Sequence, residues 1–244
     1  NAVTKKPFLG FSDTTLNHFM LHKVGLPTFY GQAFLPDVCE LAPEMLPYTK
    51  RYFEEFLKTG TIREVRPSEL WYTSRTDFSP EALGTELPAH KNSGFEPLPG
   101  PAQFEGEILG GCIDSMYEMF SGWRYGDMPE VCRKYGLFPS MDDWRGKILL
   151  MESCEEYMPP ETYKKALETL QETGVFDAVS GVLVGKPMDD MYHAEYKKLL
   201  VETISNKELP ILCNINVGHA QPRCILPFGV PAHVDADAQV IRFG

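Results

Sequence analysis

The sequence is short of positive charge. Its 23 Lys and Arg residues face 34 Asp and Glu, which gives the 244-residue chain a formal net charge of −11. A polyphosphate backbone would be repelled by most of such a surface, so non-specific nucleic-acid binding is excluded. No apolar run approaches the roughly 20 residues that a membrane-spanning helix needs. The opening NAVTKKPFLG has none of the charged, apolar and small-residue zones of a secretory signal, and the expected location is cytoplasmic. The six cysteines (Cys39, Cys112, Cys132, Cys154, Cys213, Cys224) have no CxxC spacing, which points to reduced thiols rather than a disulfide or zinc framework. There is no GxGxxG, no Walker loop and no metal-spaced His/Cys/Asp cluster, so neither a cofactor nor a metal is expected. Internal repeats and low-complexity tracts are also missing.

What is present is a globular composition, 43% hydrophobic and 12% aromatic, of a length that suits one large domain or two small ones. Residues 7–11 form a short apolar run. Ser12-Asp13-Thr14-Thr15 follows, and then Leu16, Phe19 and Met20 at helical spacing, so strand, tight turn and helix are predicted in that order. A parallel strand needs neighbours, and the expectation is that βα units precede it outside this sequence. Residues 42–60 predict a helix closed by Gly60. Residues 61–101, with Pro67, Pro80, Pro88, Pro97, Pro99 and Pro101, have little periodicity and suggest a linker or long functional loop. A strand ending in Gly110-Gly111 follows, then a buried strand at 147–152 ending in Glu152. After these come a helix (160–173), a strand (179–184), a helix (192–204), a strand (209–216) and a closing pair of strands within 224–243. Strands alternating with helices imply a substantially parallel α/β arrangement with ligands near strand C-termini.

Three strand ends carry candidate chemistry. Ser12 sits where a strand turns into a helix, the geometry that lifts a hydroxyl clear of the backbone; it reads as a nucleophile or as a helix N-cap. Glu152 closes an apolar strand and reads as an acid orienting a histidine or, since Glu155 and Glu156 follow, as a solvated carboxylate. His219 lies on a glycine-flanked loop after a strand; taken alone it reads as a structural or exposed histidine, or, from its place at a strand end, as a proton-transfer imidazole. Together they would make a nucleophile, base and orienter set.

Four segments in order, KPFLGFSDTT (6–15), ILLMES (148–153), GVFDAVSGVLVGK (174–186) and GHAQPRCILPFG (218–229), resemble the LD-carboxypeptidase family, including its MccF-like branch. The resemblance implies a Ser12–His219–Glu152 triad, with the backbone N–H of Asp13 as one oxyanion-hole donor and a second donor from a glycine-rich segment upstream of the nucleophile. It implies the last part of a Rossmann-like nucleophile domain (1–60), a linker or substrate loop (61–100) and an α/β C-terminal domain with a small barrel-like sheet (101–244). It also implies a homodimer. SELWY (68–72) resembles the MccF-like loop whose tryptophan, here Trp71, stacks on a nucleobase. Gly110, Gly111 and Cys112 match a substrate-contacting turn, with Cys112-Ile113 where asparagine-leucine is more usual. The segment 185–188, GKPM, has no acid where MccF places one; Asp189, Asp190 and Glu195 lie downstream. The activity implied is hydrolysis of a peptidyl or aminoacyl nucleotide conjugate. The alternatives are trimming of murein tetrapeptides and peptide binding without catalysis.

Overall fold

A computed structural model describes residues 6–244. The chain begins with β1 (Leu9–Gly10), a 3-10 turn (Ser12–Thr14), α1 (Thr15–Lys23) and β2 (Thr28–Tyr30), followed by α2 (Pro47–Thr59). Proline at the first position of α2 gives up an N–H that would have no partner there, and Gly60 ends the helix in the left-handed region at φ 74°. Next come β3 (Glu64–Val65), the hairpin of β4 (Leu70–Tyr72) with β5 (Ala89–Lys91), and β6 (Glu96–Pro97). The remainder runs β7 (Gln103–Cys112), α3 (Ile113–Ser121), α4 (Met128–Tyr135), α5 (Met141–Trp144), β8 (Ile148–Glu152), α6 (Pro160–Glu172), α7 (Val175–Ala178), β9 (Gly181–Gly185), α8 (His193–Thr203), β10 (Ile211–Ile215), β11 (Leu226–Phe228), β12 (Pro231–Asp235) and β13 (Val240–Phe243).

The fold is mixed α/β, with an eight-stranded sheet in the order β3-β13-β12-β7-β8-β9-β10-β6. Strands β7 to β10 are parallel neighbours. Every residue of β8, β9 and β10 is buried, which is why these strands read as continuous apolar runs without alternation. Strand β7 belongs to two ladders. Residues 108–112 pair parallel with β8, and residues 103–107 pair antiparallel with β12. The two ends of the sheet are brought together by a side chain: the Gln239 carboxamide, in the β12–β13 turn, accepts from the Phe95 N–H at 2.7 Å and donates to the Phe95 carbonyl at 3.0 Å, beside β6. It stands in for a peptide group and ties the segment before β6 to the β12–β13 turn.

Residues 113–144, for which no element is expected from the sequence, hold α3, α4 and α5, and two further regions differ from the expected element pattern. The proline-rich stretch 61–101 holds four short strands, because β3 and β6 are specified by ladders to β13 and β10, which lie far away in sequence. The tail holds three strands rather than a pair. The first, β11, leaves the large sheet and pairs antiparallel with β2, opposing Leu226 to Tyr30, in a three-stranded sheet with β1. Residues just after the His219 loop are thereby fastened to the segment that carries Ser12. Ser12 and Glu152 both lie at the C-terminal ends of parallel strands, the edge at which open α/β sheets present chemistry.

Candidate active site

Ser12 has φ 63°, in the left-handed region, where a non-glycine residue costs about 1–3 kcal/mol unless its surroundings hold it there. The hydroxyls of the following threonines bond backwards, Thr14 to the Phe11 carbonyl at 2.8 Å and Thr15 to the Ser12 carbonyl at 2.7 Å. They fix the turn without the serine oxygen, and neither the 3-10 turn nor α1 has a side-chain cap. The Ser12 hydroxyl meets His219 instead: Oγ lies 3.0 Å from Nε2. On the other side of the ring, Nδ1 donates to Oε2 of Glu152 at 2.7 Å.

Glu152 is buried, and its carboxylate is fully partnered. Oε1 accepts from the Tyr30 hydroxyl at 2.6 Å, and Oε2 also accepts from the His219 backbone N–H at 3.2 Å. The same Tyr30 oxygen accepts from the Ser12 backbone N–H at 3.1 Å. The acid is confined by two glycines. A methyl on Gly218 would stand 2.3 Å from Oε2 and one on Gly185 would stand 2.6 Å from its Cβ. Arg223, also buried, secures the histidine loop. Its guanidinium donates to the carbonyls of Gly218 and His219 and pairs with the buried Asp37 at 2.9 Å.

A second carboxylate reaches the imidazole. Oε2 of Glu155 is 3.0 Å from His219 Nε2, on the side of the serine. Burial alone would pull the histidine pKa down, but the charge and hydrogen bond of Glu152, reinforced by Glu155, push it up to about 10. The contact with His219 in turn holds Glu155 at about 2.

A cavity of about 610 Å³ opens over this group. Phe11, Leu35, Leu41, Phe78 and Met188 give it an apolar wall, while Glu155, Arg75 and Arg223 provide charge. The segment after β2 and the arm after β4 thus both reach the site. Leu35 and Phe78 carried no periodic signal in the sequence. Asp13 follows the nucleophile at the start of the turn, with its side chain 3.7 Å from Arg124 and 3.4 Å from the Ser115 hydroxyl. Trp71 is not part of the cavity lining. Its indole stacks on His90 at 4.2 Å, and the buried Lys186 ammonium lies 4.8 Å from the ring centre and pairs with Asp190. Gly110, Gly111 and Cys112 end β7 and do not line the cavity. Gly111 packs on Thr15 and Tyr30, and the Cys112 N–H donates to the Thr15 hydroxyl at 2.9 Å. The Cys112 thiol is buried 3.6 Å from Asp114 rather than open to the cavity. Among the described residues, no group of three or more His, Cys, Asp or Glu side chains is placed to hold a metal ion, and no helix is long and apolar enough to cross a membrane.

Known proteins resemble this chain over most of its length. Residues 105–234 match the LD-carboxypeptidase C-terminal domain. Microcin C7 self-immunity protein MccF of Escherichia coli is 27% identical over 240 residues, covering 95% of this chain and 63% of its own length; the chain therefore spans less than two thirds of that relative. MccF solved with aspartyl sulfamoyl adenosine has the same fold, with a TM-score of 0.75 at 24% identity over 98% of this chain and 67% of that one. An MccF-like protein from Streptococcus pneumoniae, solved in complex with AMP, is 57% identical with a TM-score of 0.97, covering 99% of this chain and 70% of that one. With half its length matched by the family domain and nearly all of it superposed on an MccF-like structure at this identity, the chain belongs to the LD-carboxypeptidase family, in its MccF-like branch.

Proposed function

We propose that the chain carries the catalytic residues of a serine hydrolase that cleaves an amide-type bond in a peptidyl or aminoacyl conjugate of a nucleotide. The observation that carries this reading is the unbroken relay from Ser12 Oγ to His219 at 3.0 Å and from His219 to Glu152 at 2.7 Å. A neutral His219 takes the Ser12 proton as the oxygen attacks the substrate carbonyl, then delivers it to the leaving amine. Water repeats the sequence on the acyl-enzyme. Glu152 keeps Nδ1 protonated and stabilises the imidazolium formed at each step. The Asp13 N–H, at the head of the turn leading into α1, is the proposed donor to the oxyanion.

Two considerations support the nucleotide half. The Streptococcus pneumoniae relative is solved with AMP, and MccF with an aminoacyl-sulfamoyl nucleoside. In this chain Trp71 already holds a flat ring, His90, against its indole, and the next residue, Tyr72, bonds through its N–H to Gln221 at the cavity wall. A nucleobase would stack on the same indole face by displacing the exposed His90 ring. The second reading, release of a terminal D-alanine from a murein tetrapeptide, draws on the family match alone.

Intact-mass labelling with a fluorophosphonate tests the nucleophile: one adduct on the wild-type protein and none on Ser12→Ala is expected. Turnover of an aminoacyl-sulfamoyl adenosine and of a murein tetrapeptide then separates the two substrate classes. Labelling that persists in Ser12→Ala would overturn the reading.

A further inference from the structure

A triad needs one carboxylate on its imidazole, and this site has two. Glu152 has the expected place, with a side chain wholly shielded from solvent and held by Tyr30 and by the His219 N–H. Glu155 faces the opposite nitrogen. Its Oε2 is 3.0 Å from Nε2, the same distance as the Ser12 oxygen. A carboxylate oxygen at that distance favours a protonated ring, because a bare nitrogen lone pair and the oxygen lone pairs repel each other. A ring protonated at Nε2 is unable to take the serine proton. The free site is therefore held largely in the wrong protonation state for its first step, so that a reagent without an ammonium group labels Ser12 only slowly, through the minor neutral form.

The two acids differ in access to solvent. The Glu155 side chain is 61% exposed and borders the cavity that opens on Ser12. The other charges around it are already engaged. Arg124 lies 2.8 Å from Glu156 and 3.7 Å from Asp13; Arg75 is paired with Glu40 at 2.5 Å; the Arg223 guanidinium is spent on Asp37 and on the carbonyls of Gly218 and His219. A cation brought into the cavity would find Glu155 as an accessible carboxylate whose partner is the catalytic ring.

On the triad reading above, we infer that Glu155 is a specificity-determining residue: it restrains His219 in the free enzyme and is drawn off by a free ammonium group on the acyl half of the substrate. The ammonium forms its ion pair with Glu155, and the Nε2 proton passes to solvent. The neutral nitrogen then accepts the Ser12 hydroxyl. Substrates with a blocked amine leave the restraint in place. The apolar wall of Leu35, Phe78 and Met188 suits an apolar side chain on the same aminoacyl group.

The test follows the His219 ring by NMR pH titration, in wild type, in Glu155→Gln and in Glu155→Ala, and in wild type saturated with L-leucinamide or with N-acetyl-L-leucinamide. Removing the Glu155 charge is expected to lower the His219 midpoint by about 1–3 pH units. L-Leucinamide should lower it similarly, and the acetylated probe should leave it where it was. Equal midpoints in wild type and both variants, or equal effects of the two probes, would overturn the inference. In turnover, kcat/KM for an amine-bearing substrate should exceed that for its N-acetyl form in wild type, and the difference should collapse in Glu155→Gln. The titration needs no turnover, so it decides the role of Glu155 even if Ser12 labelling defeats the triad reading.

Discussion

The phenolic oxygen of Tyr30 lies 2.6 Å from Oε1 of Glu152, and it also accepts the backbone N–H of Ser12 at 3.1 Å, so one buried hydroxyl joins the Glu152 carboxylate to the Ser12 peptide. Burial, and then the neighbouring Glu152 charge, raise the Tyr30 pKa well above its ordinary value, which keeps the phenol protonated as a donor. Tyr30→Phe should leave both partners short of a bond. The expected outcome is a loss of about 1–3 kcal/mol in stability by denaturant unfolding. A fall in kcat larger than any change in KM should accompany it, since the turn and the acid lose their common tie. Unchanged kcat in a folded variant would show that the Ser12 turn holds itself.

Gly218 is pressed against the acid. A Cβ there would lie 2.3 Å from Oε2 and 2.5 Å from Cγ of Glu152, on a residue at φ 86°. Gly218→Ala must therefore displace either the carboxylate or the histidine loop. A rate loss of about 10⁴-fold, on the scale of a triad deprived of its orienting acid, is expected. Gly229→Ala is the matching control. It shares the positive φ, at 77°, but its nearest neighbour would be 3.6 Å away. That variant should cost about 1 kcal/mol of backbone strain and leave kcat unchanged.

The three side chains that meet in the cavity could be picked out because each stands where a local pattern stops: Ser12 after an apolar run, Glu152 at the end of one, His219 on a glycine-flanked loop after a strand. The parallel strands β8, β9 and β10 showed as short apolar runs because both faces of their sheet are covered. What stayed hidden depends on distance in sequence. Tyr30 reads as a core aromatic in a three-residue strand, and its function comes from an acid 122 positions away. Glu155 reads as one of several solvated acids, and only the return of the His219 loop places it on Nε2. The strands β3 and β6, set among prolines, exist through ladders to β13 and β10. The carboxamide of Gln239 acts as a strand segment with no pattern to announce it.

Trp71 offers a test of where the leaving half of the substrate sits. The indole stacks on His90 and has the Lys186 ammonium near its ring; on the proposed reading a base would take the place of His90 there. Trp71→Ala should weaken KM for an aminoacyl-sulfamoyl adenosine by the equivalent of about 1–3 kcal/mol of stacking. Labelling of Ser12 by a small fluorophosphonate, which has no base, should proceed at the wild-type rate. Equal loss on both would assign Trp71 to the integrity of the β4–β5 hairpin instead.

His18 is expected to weaken the fold as pH falls. It is wholly buried between β1 and β2, donating from Nε2 to the Gly10 carbonyl at 3.2 Å and accepting at Nδ1 from the Thr28 hydroxyl at 2.7 Å, an arrangement that suits the neutral ring. Burial is the cause that lowers its pKa from 6.5 to about 4, against a smaller opposing effect of the Gly10 bond. A depressed folded-state pKa means that the unfolded chain binds the proton first as pH falls. The contribution is fully present above about pH 6.5 and is lost on the way down through pH 4. Integrated over that window it amounts to roughly 3 kcal/mol. Urea unfolding of the wild type should show this steepening between pH 6.5 and 4. His18→Gln, which has no ring proton to gain, should lie lower at pH 7 and run flatter across the window. Parallel pH profiles for the two proteins would remove His18 as the cause and assign the acid limit to the carboxylates.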